Sequence, residues 1–254
     1  MSFCFIILKY TKNELHTKLL INCIDSIREI YKEEQIIIID DYSEIEFLRI
    51  PEKYNNDTNI KIVTSISKNS GEINGYIYFN SSIDEYKYAV IMHDSMILKK
   101  KFDFEFNFNI KFLWHFEKNK WDDDKEIKNL IMKLPKNKNN IVYTRYLNKN
   151  TWYGCFGIAS IIAKEYLKKI NNETEFLKLA YVIKNRPNRM ALERVFAVIN
   201  FMYDNKLERK NCSINGNIHK HPLCWGRLDD YELEYIKYIY KEYDSYMIKT
   251  WNQR

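Results

Sequence analysis

The stretch EEQIIIIDDYS, Glu33 to Ser43, decides how the chain folds. Four consecutive isoleucines fit a strand covered on both faces, the signature of an interior strand in a parallel sheet. The run ends in Asp40 and Asp41. Carboxylates are costly to bury, so the chain is expected to leave the sheet at this point. Ligands of open α/β sheets bind outside the carboxyl ends of the strands. The two aspartates are therefore either ligand-facing groups or caps of a turn.

The same pattern extends on either side. FCFIILKY (Phe3–Tyr10) is another continuous apolar run of strand length. Leu15–Tyr31 carries Leu19, Leu20, Cys23, Ile24, Ile27, Ile30 and Tyr31 at helical spacing. IKIVTS (Ile60–Ser65) reads as a third strand, NGYIYFNSSI as a short helix, and Lys87–Met92 as a fourth strand running into His93 and Asp94. Strands alternating with helices predict βαβ units, an α/β fold and a mostly parallel sheet. His93 and Asp94 then join Asp40 and Asp41 at the same rim.

The second half is less periodic. NKWDDDKEIKNLIMKLPKNKNNI predicts a solvated helix and loop. VYTRYLNKNTWYGCFGIASIIAKEYLKKI predicts a strand, a glycine-bearing turn and a helix from about Ile158. RMALERVFAVINFMYDN predicts a strong helix, INGNIHKHPLCWG a loop with two histidines, and the tyrosine-rich tail an amphipathic helix. No internal repeat or linker is visible. The expected organisation is one domain over 1–254, with a more regular half (1–100), a less periodic half (101–225) and a helical C-terminal extension (226–254).

Composition narrows the function class. Of 254 residues, 46% are hydrophobic and 15% aromatic, enough for a substantial core. No apolar run approaches the ~18 residues of a membrane span. MSFCFIILKY has no basic leader or small-residue cleavage site, so it reads as a strand and not a signal peptide. The five cysteines form no CxxC pair, which suits reduced, structural thiols in a soluble, cytosol-like setting. The net charge of +6 suits an anionic ligand. No lysine/arginine block exceeds the three of Lys99–Lys101, and no nucleic-acid signature is present.

The order ILKYTKNE, NCIDSI, IIIIDDYS, then NGYIYFNSSIDEYKYAVIMHDSM resembles glycosyltransferases of the GT-A fold, most closely the family 2 type. Asn74 and Gly75 match that family's turn, Asn80 its helix asparagine, and Asp94 the last aspartate of its Asp-x-Asp motif. WYGCFG resembles the aromatic-glycine segment lining the acceptor side, and MALERVF the acidic segment that supplies the base. Tyr42 stands where the family has glycine, Phe79 where it often has arginine, and Met92 at the first Asp-x-Asp position.

The resemblance implies a GT-A (Rossmann-like) central sheet flanked by helices. It also implies transfer of a sugar, with inversion, from a nucleotide-diphosphate sugar such as a UDP-sugar to an acceptor hydroxyl. Asp41 would take the base, Asp40 shape the turn and Tyr10 stack on the base, or simply pack at the strand end. Asn74, Gly75, Asn80 and His93 would complete the donor site, and Trp152, Gly154 and Phe156 the acceptor side of a glycan or protein. A Mn²⁺ or Mg²⁺ ion would bridge the phosphates. Asp94 would hold it, with His219 or His221 as second ligand unless HKH is only a solvated loop. Glu193 would act as base, or else be a surface glutamate paired with Arg194, with Asp229 and Asp230 next in line. The competing readings are a degenerate GT-A-like binding module and a nucleotidyltransferase. The glycine-free LKYTKNELH after the first strand speaks against the latter.

Overall fold

The computed structural model describes residues 2–47, 49, 51–83, 86–117, 122–135, 138–220 and 243–250. The central sheet has six strands: β1 (Phe3–Lys9), β2 (Ile36–Asp40), β3 (Ile60–Thr64), β4 (Tyr88–His93), Ser160–Ala163 and Ile110–Phe112, in the order β3-β2-β1-β4 followed by the last two. The first four are parallel; Ser160–Ala163 runs antiparallel to both its neighbours. The α/β, mostly parallel class expected from the sequence is the one observed.

The isoleucine run explains itself in this sheet. Ile37 and Ile39 face one core together with Ile6, Leu8 and Tyr76, whereas Ile36 and Ile38 face the other with Phe5, Ile7 and Cys23. All four are at most 1% exposed. Burial of each such side chain is worth ~1.5–3 kcal/mol. Helix α1 (Glu14–Ile30) covers the second face, capped by the Asn13 side chain accepting from the His16 N–H at 3.0 Å. Helix α2 (Ile73–Ser81) lies on the first face. A Cβ on its Gly75 would sit 3.1 Å from Ile91 and 3.2 Å from Leu8, so the glycine lets helix and sheet approach closely.

Beyond β4 come β5 (Met96–Leu98), β6 (Ile110–Phe112) and β7 (His115–Phe116), then α3 (Asp124–Ile131) and α4 (Asn139–Leu147). The strand expected near Val142 is thus helical. β8 (Gly154–Cys155) pairs with β7, and β9 (Ser160–Ala163) enters the central sheet. The helix expected from about Ile158 begins only at Lys164, as α5 (Lys164–Thr174). The apolar SIIA stretch is captured by the edges of β4 and β6 before any helix can start. α6 (Arg186–Tyr203) is capped by Asn185 and carries Pro187 in its first turn.

The tail also departs from expectation. Within the expected C-terminal helix, Met247–Lys249 forms β10, antiparallel to β5. Met247 and Ile248 are buried, which ties this segment to the second core. Residues 221–242, with Asp229 and Asp230, lie outside the described residues. Among the described residues, no helix is long and apolar enough to cross a membrane. Cys4, Cys23, Cys155 and Cys212 are unbridged and buried; Cys224 lies outside the described residues.

Candidate active site

The strand order reverses at β1: the chain steps outward through β2 and β3, then returns to β4 on the other side. In such sheets the ligand crevice lies beyond the carboxyl ends of the strands where the order reverses, here those of β1 and β4. Lys9 and Tyr10 end one strand, and His93 and Asp94 end the other.

Asp40 does not face this crevice. It is 1% exposed and pairs with Lys9 Nζ at 2.6 Å, while its other oxygen accepts from the Ser43 N–H at 3.0 Å. Its carboxylate is taken up by Lys9 and Ser43, and so shapes the turn. The turn leaves Tyr42 at φ 60, the left-handed conformation that favours glycine, with Lys68 above its ring.

Asp41 is also no simple rim group. It accepts from Ser65 Oγ (3.0 Å), Asn69 N–H (3.1 Å) and Gly71 N–H (3.1 Å), and so folds the segment after β3 around itself. Burial raises its pKa, against the pull of these bonds and of Arg189. Asn74 braces the same segment through both groups of the Ser67 backbone. Gly75 is a packing residue. Asn80 lies at the far end of α2 in a surface groove with Asn171 and Tyr181, away from the crevice. Tyr10 is half-buried at the mouth, with Lys12 over its ring at 5.0 Å.

The other wall joins residues far apart in sequence. Gly157, at φ 56, accepts from His93 Nε2 at its carbonyl (3.1 Å) and donates its N–H to Glu193 Oε1 (2.7 Å). A Cβ on Gly157 would lie 2.5 Å from the imidazole, so only glycine fits between these two side chains. Glu72 Oε1 stands 3.6 Å from His93 Nε2. Glu193 Oε2 accepts from Arg194 Nη1 at 2.7 Å, and Arg194 in turn binds buried Asp122 at 2.8 Å.

Glu193 lies in the middle of α6, beyond the reach of the helix terminus. Burial dominates instead, and lifts its pKa to about 7 against the attraction of Arg194 and the Gly157 N–H. Burial raises Glu72 as well, with Arg189 opposing. A carboxylate poised near neutrality is suited to taking a proton.

The expected acceptor residues separate. Trp152 is 4% exposed and donates its indole N–H to the Tyr146 carbonyl at 3.2 Å; it is core. Gly154 is required by the Phe116 ring, which would meet any Cβ there at 2.0 Å. Arg194 stacks on that ring at 4.2 Å. Only Phe156 remains half-buried.

Of the expected metal ligands, Asp94 and His219 lie within the described residues. Asp94 is 2% exposed, in the turn between β4 and β5. His219 packs edge-on to Phe116, near Arg194. His221 lies outside the described residues. Among the described residues, no three His, Cys, Asp or Glu side chains gather in a metal-holding group. The residue next to Asp94, Ser95, instead receives a hydrogen bond from Lys249 Nζ on β10. Among the described residues, these side chains therefore form no ready cage for a divalent cation.

Sequence reasoning missed Glu72, Arg189, Gly157, Asp122 and Lys249. Gly157 was signalled by the second glycine of WYGCFG, and Glu72 by its place directly before the α2 glycine turn. Lys249 had no local signal, because a strand pairing across the chain delivers it.

No profile of a known family matches the sequence, and no curated protein matches it. Among solved structures, the chain is similar to residues 1–349 of TarS from S. aureus, at 16% identity and a TM-score of 0.41. That match covers 73% of this chain and 57% of that structure, so the chain spans little more than half of it. The complex of the same fragment with UDP-GlcNAc matches at 18% identity, a TM-score of 0.41, and 73% and 55% coverage. The galactosyltransferase LgtC, in complex with donor and acceptor sugar analogues, matches at 8% identity, a TM-score of 0.41, and 78% and 71% coverage. The likeness lies in the arrangement of sheet and helices; the activity of this chain has to be read from its own crevice.

Proposed function

We propose that this chain is a glycosyltransferase that moves a sugar from a nucleoside-diphosphate sugar to an acceptor hydroxyl, with Glu193 as general base. The observation carrying this reading is the convergence of His93, Gly157 and Glu193 at the crevice where the sheet order reverses. A hydroxyl is a weak nucleophile at neutral pH. A carboxylate whose pKa is pushed up to about 7 removes its proton as the new bond forms. The sequence resemblance to GT-A enzymes agrees with this chemistry.

The donor side is the segment held by Asp41. Its backbone and the Arg189 guanidinium above Gly71 form a rim suited to a nucleotide and its phosphates. Tyr10 offers a ring for the base. Transfer from an acceptor base on the opposite wall corresponds to inversion, with UDP as the first nucleotide to test. The deciding experiment is a screen of nucleoside-diphosphate sugars for donor hydrolysis and for thermal stabilisation. Native-state ligands raise the melting temperature. Stabilisation by none of them at millimolar concentration would refute the reading.

A further inference from the structure

We propose that Lys249 is the cation that binds the diphosphate leaving group, so that transfer in this site proceeds without a divalent metal ion. The inference rests on the sugar-nucleotide reading above. Its basis is the way the chain places this one ammonium. β10 pairs with β5 in a register that sets Lys249 opposite Met96. Thr250 then locks the segment, donating its N–H (3.0 Å) and its hydroxyl (3.1 Å) to the Ser95 carbonyl. Lys249 Nζ donates to Ser95 Oγ, immediately after Asp94 at the end of β4.

The position is costly for a lysine. Lys249 is 8% exposed, on a strand whose other members, Met247 and Ile248, are core residues. Burying an ammonium opposes folding unless nearby groups favour the charge. Its field reaches Glu72 on the α2 side of the crevice and Cys23 on the α1 side, where Asp94 also acts. The ammonium thus occupies the region in which an Asp-x-Asp motif would hold a cation, while Met92 has removed the first carboxylate of that motif. One fixed positive charge replaces a mobile one.

The step balances as follows. The acceptor O–H proton passes to a Glu193 carboxylate oxygen. The acceptor oxygen bonds to the anomeric carbon as the bond from that carbon to the phosphate oxygen breaks. The electron pair of the broken bond stays on the diphosphate, whose added charge Lys249 meets. A donor already in place and shielded from water is most effective against charge that develops in the transition state.

The test compares wild type, Lys249→Gln and Lys249→Arg, in excess chelator and with added Mg²⁺ or Mn²⁺. Wild-type turnover is expected to survive the chelator and to change little with metal. Lys249→Gln is expected to lose ~10²–10³-fold in kcat, the typical cost of one oxyanion-binding donor, and Lys249→Arg to recover much of it. A structural role is separated by titrating UDP against UMP. Lys249→Gln should weaken UDP binding and leave UMP binding near the wild-type value, whereas a damaged fold weakens both. Wild-type turnover that disappears in chelator and returns with Mg²⁺ or Mn²⁺ overturns this inference but leaves the transferase reading standing. Binding of no nucleotide under either condition overturns both.

Discussion

Glu193→Gln separates catalysis from stability in a way the geometry makes quantitative. Glu193 is carried from an ordinary 4.5 to about 7, and at about 1.4 kcal/mol per pH unit this is roughly 3 kcal/mol. The folded-state pKa lies above the unfolded one. The native state therefore binds more protons between pH 4.5 and 7, and wild-type stability falls as pH rises through that window. Gln cannot ionise and does not meet this penalty. It does lose one of two hydrogen bonds, because its amide cannot accept from both the Gly157 N–H and Arg194; that costs ~1 kcal/mol. Arg194 keeps Asp122 at 2.8 Å and is not stranded. At pH 8 the variant should thus be more stable than wild type by about 2 kcal/mol, or roughly 4–8 °C in Tm for a chain of this size. Turnover should fall ~10²–10⁴-fold, the usual share of a general base. The wild-type kcat/KM should rise with pH through about 7, and the residual activity of the variant should show no such limb. The assays are thermal unfolding at pH 5 and 8, and donor turnover across pH 5–9. A variant that is less stable at pH 8 and fully active would make Glu193 a structural partner of Arg194 and refute the reasoning.

Three further perturbations follow from the same wall and rim. Asp41→Ala removes the acceptor for Ser65, Asn69 and Gly71 and should destabilise by ~2–4 kcal/mol, at a net ~1 kcal/mol per bond; an unchanged urea midpoint would show that the carboxylate does not anchor the segment. Gly157→Ala forces a Cβ against the His93 imidazole at φ 56 and should cost ~1–3 kcal/mol of strain together with most of the turnover; wild-type kcat would disconnect His93 from Glu193. Lys9→Met strands the buried Asp40 charge and should cost ~3–5 kcal/mol, with much of that regained by Lys9→Met/Asp40→Leu in chemical denaturation. A double variant no better than the single one would mean that the pair is held by its other hydrogen bonds.

The first half of the fold was legible because its signals are local. The isoleucine run, the helical spacing from Leu19 to Tyr31 and the apolar stretch before His93 each report burial directly. Asp40 and Asp41 were located correctly but misread in exposure, because sequence shows where a strand ends and not what the following turn folds over it. Trp152 was placed at an acceptor surface for a similar reason: aromatic residues beside glycine look alike whether the glycine serves a ligand or, as at Gly154, a neighbouring ring. The β9 stretch reads as helix because a four-residue apolar run has no period of its own; the neighbouring edges of β4 and β6 decide its state. His93, Gly157 and Glu193 meet across more than one element, and no spacing along the chain encodes that meeting.

The pairing of β10 with β5 also bears on how the molecule comes into being. Lys249 and Ser95 are separated by 154 positions, yet they touch. During synthesis, β1 through α6 leave the ribosome with nearly the whole sheet and both cores available. The crevice, in contrast, lacks its ammonium until the tail has emerged and folded back. A chain interrupted before Met247 would keep the isoleucine framework and the Glu193 wall while missing the Lys249 side. Docking of β10 on β5 is therefore coupled to completion of the crevice.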